Sequence, residues 1–286
     1  MRADRARTLP VPRADVVWRI GRARRSRRVG AALLAAIALS ACSSPQARID
    51  RIASRAGLVR DIVPGAPFRH VVYRPGSPRI GPELHVYIEG DGTPYRDRHT
   101  VAADPTPRAP LALYLMRLDL SPSLYLGRPC YFGLAHDPGC DASYWTLKRF
   151  APEVVQSLAA ALELELARTG RRHVTLIGHS GGATLALLVA DRVPEVERVI
   201  TVAGILDVGG WTRLHGYSPL SGSLDPMTSG LHRSDLTLVH FAGGDDRNVP
   251  AAMIAAAAAR LGGRVSVIPH FDHECCWERL WPSLLR

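Results

Sequence analysis

The sequence predicts a single α/β domain: a mostly parallel central sheet, helices on both faces, and a small cap or none. Two observations carry that expectation. Short β-branched or aromatic runs alternate with helix-length amphipathic segments, as parallel strands require when each crossover holds a helix. An apolar share of 47% with 22% charged residues is that of an ordinary globular chain, and the roughly 245 residues after position 41 suffice for one large core.

Taken in order, the chain opens on a basic leader. Residues 1–41 hold ten arginines and two aspartates, so of a formal net charge of +10 only two units belong to the rest, 26 basic against 24 acidic residues. A nucleic-acid partner is therefore not expected. The uncharged apolar run 29–41 would span only about 20 Å as a helix, against about 30 Å for a hydrocarbon core, and reads as the h-region of an export signal. Leu39-Ser40-Ala41-Cys42 resembles a bacterial lipobox. That resemblance implies a diacylated Cys42 as mature N-terminus. Ser43, with no aspartate there, implies outer-membrane sorting in the cell envelope, facing the periplasm. An ordinary signal peptide with a chance cysteine stays open, as does a start codon downstream of Met1.

The expected organisation is a lipoprotein signal peptide at 1–41, a lipidated tether and short helix at 42–60, and one α/β domain at 61–286. Strands are expected at 68–73, 84–88, 123–126, 173–177, 196–203, 236–241 and 264–268. Helices are expected at 48–59, 152–168, 182–191, 249–261 and 274–285. The Pro-rich stretch 93–110 and the segment 207–234 read as irregular loops.

The chemistry centres on one strand. His173-Val174-Thr175-Leu176-Ile177 runs into Gly178-His179-Ser180-Gly181-Gly182 and then into a helical run. A Gly-x-Ser-x-Gly turn between strand and helix suits an exposed, strained nucleophile. Gly178 and Gly182 let the strand and helix approach, and Gly181 leaves an N–H beside Ser180. A serine hydroxyl needs an imidazole to take its proton and a carboxylate to orient that imidazole. Both follow in order after later strands. Asp246 is the leading acid, with Asp245 and Asp207 as competitors. His273 is the leading base, with His270 as competitor. His179 reads as a structural residue. The oxyanion donors are expected to be the backbone N–H groups of Asp91, in Glu89-Gly90-Asp91-Gly92, and of Gly181. No ligand-like His or Cys spacing occurs, so neither a metal nor another cofactor is expected.

Together the elbow, the order Ser…Asp…His and the Gly-rich loop after the 84–88 strand resemble the α/β-hydrolase superfamily, over roughly residues 68–286. Glu-Gly-Asp-Gly stands where many family esterases have His-Gly or His-Gly-Gly-Gly. Tyr87-Ile88-Glu89-Gly90-Asp91-Gly92 and Arg128-Pro129-Cys130 are similar to phrases of uncharacterised bacterial exported hydrolases. The resemblance implies a serine hydrolase; the leading expectation for its substrate is a small-molecule or lipid ester. The same triad would serve an amidase, a peptidase or an acyltransferase, and a non-catalytic ligand-binding lipoprotein is a further alternative. Oligomeric state is not legible.

Four cysteines remain in the exported part: Cys130, Cys140, Cys275 and Cys276. An even set in an oxidising compartment points to disulfides, with all three connectivities open. The 207–234 insert, with Trp211, Tyr217 and Leu220, is small for a helical cap and is expected to cover Ser180 as a loop. Trp145, Trp211 and Trp277 are candidate pocket walls; core packing is the competing reading, and the favoured one for Trp145 and Trp277.

Overall fold

Among residues 44–285, which the computed structural model describes, eight strands form one sheet. The expected export signal and Cys42 lie outside the described residues. The strands are β1 (Leu58–Pro64), β2 (Arg69–Pro75), β3 (Leu84–Ile88), β4 (Ser123–Leu126), β5 (Val174–His179), β6 (Val196–Val202), β7 (Thr237–Gly243) and β8 (Arg264–Ile268). Their order across the sheet is β1-β2-β4-β3-β5-β6-β7-β8. β2 runs antiparallel to β1 and β4, and every pairing from β4 to β8 is parallel.

The central strands show that the sheet is covered. β3, β4 and β5 are buried along their whole length, polar His85, Ser123 and Thr175 included, as strands with helices on both faces must be. Helix α1 spans Pro45–Arg55, α2 Leu111–Leu118, α3 Pro152–Thr169, α4 Gly181–Ala190, α5 Val208–Leu214, α6 Pro226–Ser229, α7 Ala251–Leu261 and α8 Trp281–Leu284. α4 is buried throughout and packs on β5 and β6. α3 turns one apolar stripe inward, including Val155, Leu158, Leu162 and Leu166. It starts with Pro152 in its first turn and stops at left-handed Gly170, whose N–H returns to the Leu166 carbonyl, the Pro-in, Gly-out asymmetry of a well-capped helix.

Four differences from the sequence reading have physical causes. Gly57, at φ +69°, ends α1 early, and the next residues form β1. The expected boundary between residues 60 and 61 thus falls inside a strand of the sheet, and α1 sends Ile49 and Ala53 into the core. The eight residues of α2, apolar but for Arg117, form too short a run to show a readable period. The 207–234 segment is not wholly irregular: Asp207 and Asp225 accept backbone N–H bonds at the starts of α5 and α6. The expected 274–285 helix is broken into a 3₁₀ turn at Trp277–Arg279 and the short α8.

Strand order decides where a site can form. β4 lies on one side of β3 and β5 on the other, so the connections leaving the C-terminal ends of β3 and β5 diverge and open a crevice. No helix among the described residues is long and apolar enough to cross a membrane.

Candidate active site

Ser180 follows β5 directly, at φ +52° and ψ −121°. A non-glycine residue in that region is strained by about 1–3 kcal/mol and needs its surroundings to hold it. Three hydrogen bonds do so. The Ser180 N–H donates to the Val202 carbonyl (3.0 Å), and the Ser180 carbonyl accepts from the N–H groups of Ala183 (3.0 Å) and Ile205 (3.1 Å). Beneath the turn, a Cβ on Gly182 would collide with the carbonyl oxygens of Ile88 and Glu89, so α4 can approach β3 only with glycine there.

Asp246 and His273 come from the connections after β7 and β8. The two connections are laced together: Gly244 N–H donates to the Ile268 carbonyl and Asp245 N–H to the Phe271 carbonyl, each at 2.9 Å. Asp246 Oδ1 accepts the N–H groups of Asn248 and Val249, both at 2.8 Å, which turns Oδ2 toward His273 Nδ1 at 2.9 Å. His273 Nε2 lies 2.9 Å from Ser180 Oγ. The Asp246 side chain is fully buried and that of His273 is 18% exposed. An ionised carboxylate only accepts, so Nδ1 carries the ring proton and Nε2 is left to accept from the serine hydroxyl.

The competing residues stand elsewhere. Asp245 and His270 form an exposed pair at 3.7 Å. Asp207 accepts from the N–H of Gly210 at the start of α5. His179, buried under the elbow, is 3.1 Å by Nε2 from the carbonyl of His273, so it props the backbone of the base; its Nδ1 faces Glu89 at 3.5 Å.

Asp91 follows β3. Its N–H and that of Gly181 have no acceptor among the described residues. Four residues that hold this loop were not read from the sequence as site residues. Glu89 Oε1 accepts from the N–H groups of Gly90 (3.2 Å) and Ala112 (3.3 Å). Arg128 and Arg149 each donate to one oxygen of the Asp91 carboxylate, at 2.5 and 2.6 Å, and Tyr131 donates to the Asp91 carbonyl at 3.0 Å. Burial works to raise the Asp91 carboxyl, and the Arg149 and Arg128 guanidiniums outweigh it, holding it below the usual carboxylate range.

The cysteines pair as Cys130–Cys140, with Cα atoms 5.5 Å apart, and as the neighbours Cys275–Cys276. Trp145 and Trp277 are core residues, the former donating to the Ala102 carbonyl. Trp211 is buried too, and its indole reaches Asn248 Oδ1 at 3.3 Å. An open depression of about 1130 Å³ lies against the Asp246–His273 side, lined by residues 244–248 and 272–275. Among the described residues no cluster of His, Cys, Asp or Glu could hold a metal ion.

No family model matches the sequence, and no curated protein matches it. Solved structures do. A bacterial membrane phospholipase A, described as a virulence factor, shares 15% identity over 91% of this chain and 96% of its own, with a TM-score of 0.57. An alpha-beta serine hydrolase homologue from Coxiella burnetii shares 15% over 79% and 93%, with a TM-score of 0.52. A hormone-sensitive lipase from a metagenome library shares 13% over 82% and 84%, with a TM-score of 0.51. At such identities the likeness is one of fold.

Proposed function

We propose that this chain, which has the α/β-hydrolase fold, is a lipid-anchored serine hydrolase of the cell envelope that cleaves carboxylic esters. The observation that carries the reading is the single line of hydrogen-bonding groups from Ser180 Oγ through the His273 ring to Asp246, 2.9 Å at each step. The fold neighbours support the substrate class, since a phospholipase and a lipase both act on esters. The lipobox at Cys42 supports the anchor.

In this reading Ser180 Oγ adds to the ester carbonyl carbon while its proton passes to His273 Nε2. Asp246 remains ionised and stabilises the imidazolium. Negative charge moves onto the carbonyl oxygen, where the N–H groups of Asp91 and Gly181 receive it; one such donor contributes about 3–4 kcal/mol to the transition state. The tetrahedral intermediate collapses, the C–O bond to the alcohol breaks, and His273 returns the proton to the departing oxygen. Water then repeats the sequence on the acyl-enzyme, releasing the acid and Ser180.

Labelling with a fluorophosphonate, followed by identification of the modified peptide, tests the reading. Modification at Ser180 and release of p-nitrophenol from acyl esters, both abolished in a folded Ser180→Ala variant, are the expected results. Labelling that persists in that variant, or wild-type protein inert to both reagents, would sink it. Metabolic incorporation of a clickable fatty acid, lost in Cys42→Ala, tests the anchor.

A further inference from the structure

We propose that Arg128 and Arg149, acting through the side chain of Asp91, are positioning residues that aim the Asp91 N–H at the developing oxyanion. This deepens the serine-hydrolase reading and rests on it.

Asp91 is gripped at every polar point except that N–H. Its carboxylate takes one guanidinium on each oxygen, and its carbonyl takes the Tyr131 hydroxyl. The two arginines are themselves immobile. Arg128 is buried, lies between the rings of Tyr131 and Phe150 (5.2 and 5.4 Å from their centroids) and donates to the Arg149 carbonyl at 2.9 Å. Arg149 is buried as well and donates from Nε to the Thr146 carbonyl at 2.7 Å. One guanidinium would neutralise the carboxylate. Two, arriving from connections 21 residues apart, also fix its direction, as opposed donors on a planar group must. Beyond the carboxylate lies Gly181, whose Cα it touches so closely that no Cβ fits between them. The carboxylate therefore sets the spacing between the loop that bears one expected oxyanion donor and the elbow that bears the other. A donor displaced by a fraction of an ångström still binds a neutral carbonyl but loses most of its advantage for the charged transition state.

The cluster could instead be a core ion pair that only holds the loop in the fold, and the two roles separate experimentally. Arg128→Met, Arg149→Met, Arg128→Lys and the isosteric Asp91→Asn are compared with wild type on a p-nitrophenyl ester and on a trifluoromethyl ketone of the same acyl chain. Ser180 Oγ adds to the ketone carbonyl carbon while its proton passes to His273 Nε2, leaving an oxyanion between the two N–H groups. Both methionine variants, folded by circular dichroism, are expected to lose about 100-fold in kcat with KM within about twofold. Ketone affinity should weaken by the same factor as kcat/KM. Arg128→Lys should recover about tenfold of that loss. Asp91→Asn, which keeps the shape of the side chain, should follow the methionine variants and stands in if they do not fold. Folded variants with wild-type kcat, or with losses in KM and melting temperature but unchanged ketone affinity, would overturn the proposal. A wild-type protein that neither cleaves the ester nor takes up the ketone would overturn the hydrolase reading and this one together; failure of the variants alone leaves the hydrolase reading standing.

Discussion

The carboxylate of Asp91 rests on the Cα of Gly181, with no room for a side chain between them. Gly181 therefore answers two demands: its N–H begins α4, and its bare Cα accepts a charged neighbour that two arginines press against it. Gly181→Ala should push the β3 loop away from the elbow. We expect at least a 100-fold fall in kcat on an acyl ester, with stability reduced by about 1–3 kcal/mol through overpacking; steady-state kinetics and a denaturant melt on the same sample read both.

Asp246 is held by two backbone N–H groups and by His273. Asp246→Asn keeps the shape but offers the imidazole a group that can stabilise the wrong tautomer. A fall of about 10⁴-fold in kcat, with an unchanged melting temperature, is the expected result. A fall below tenfold would place the acid elsewhere.

The Cys130–Cys140 bond closes a loop of sequence separation 10, and Arg128 and Tyr131, both in contact with Asp91, flank its first cysteine. The chain-entropy model gives the bond about 3 kcal/mol. In a domain of this size, Cys130→Ser with Cys140→Ser should lower the melting temperature by roughly 6–12 °C. Differential scanning calorimetry with and without reductant is the check: the wild type should respond to reductant more than the double variant does.

His85 is buried at the start of β3, 2.6 Å from Asp119, and Asp119 also receives the Tyr87 hydroxyl at 2.7 Å. Burial opposes its charge, but hydrogen bonds to Asp119 and Glu83 outweigh this and hold its pKa up at about 9. The folded state therefore keeps a proton that the unfolded chain gives up near pH 6.5. The contribution is complete below pH 6.5 and is lost as pH rises to about 9. Urea unfolding across that range should show a decline that His85→Gln flattens.

His70 works in the opposite sense. Burial, opposed by its bonds to the Gly127 carbonyl and Ser157, lowers its pKa to about 4. The unfolded chain takes up a proton first, so stability falls as pH drops from 6.5 toward 4. Unfolding between pH 4 and 6.5 should give a slope that disappears in His70→Gln.

The parts of the fold legible in the sequence were those with a local signature. The 84–88, 123–126 and 264–268 strands have the expected bounds, and the elbow is announced by a strand, three glycines and a helix in succession. β1 was hidden because Arg60 and Asp61 break its alternation and α1 ends just before it. α2 was hidden because a short apolar run looks alike as strand or helix. The site divides the same way. Ser180, Asp246 and His273 each follow a strand, and the structure brings them within hydrogen-bonding distance. Arg149 carries no local mark, and Arg128 stands only in the phrase Arg128-Pro129-Cys130, which indicates no role for it. Their meaning arises only when two loops meet at Asp91, a contact 37 residues distant for one and 58 for the other. His179, expected to be structural, touches the backbone of His273 across 94 residues.

Among the described residues β8 sits at the far margin of the sheet, paired to β7 alone, and the loop behind it carries His273. In the proposed mechanism Ser180 can be strained and ready in the elbow while still lacking anywhere to send its proton. Under that mechanism reactivity would switch on only with the docking of one marginal strand, so turnover would report that the sheet is complete.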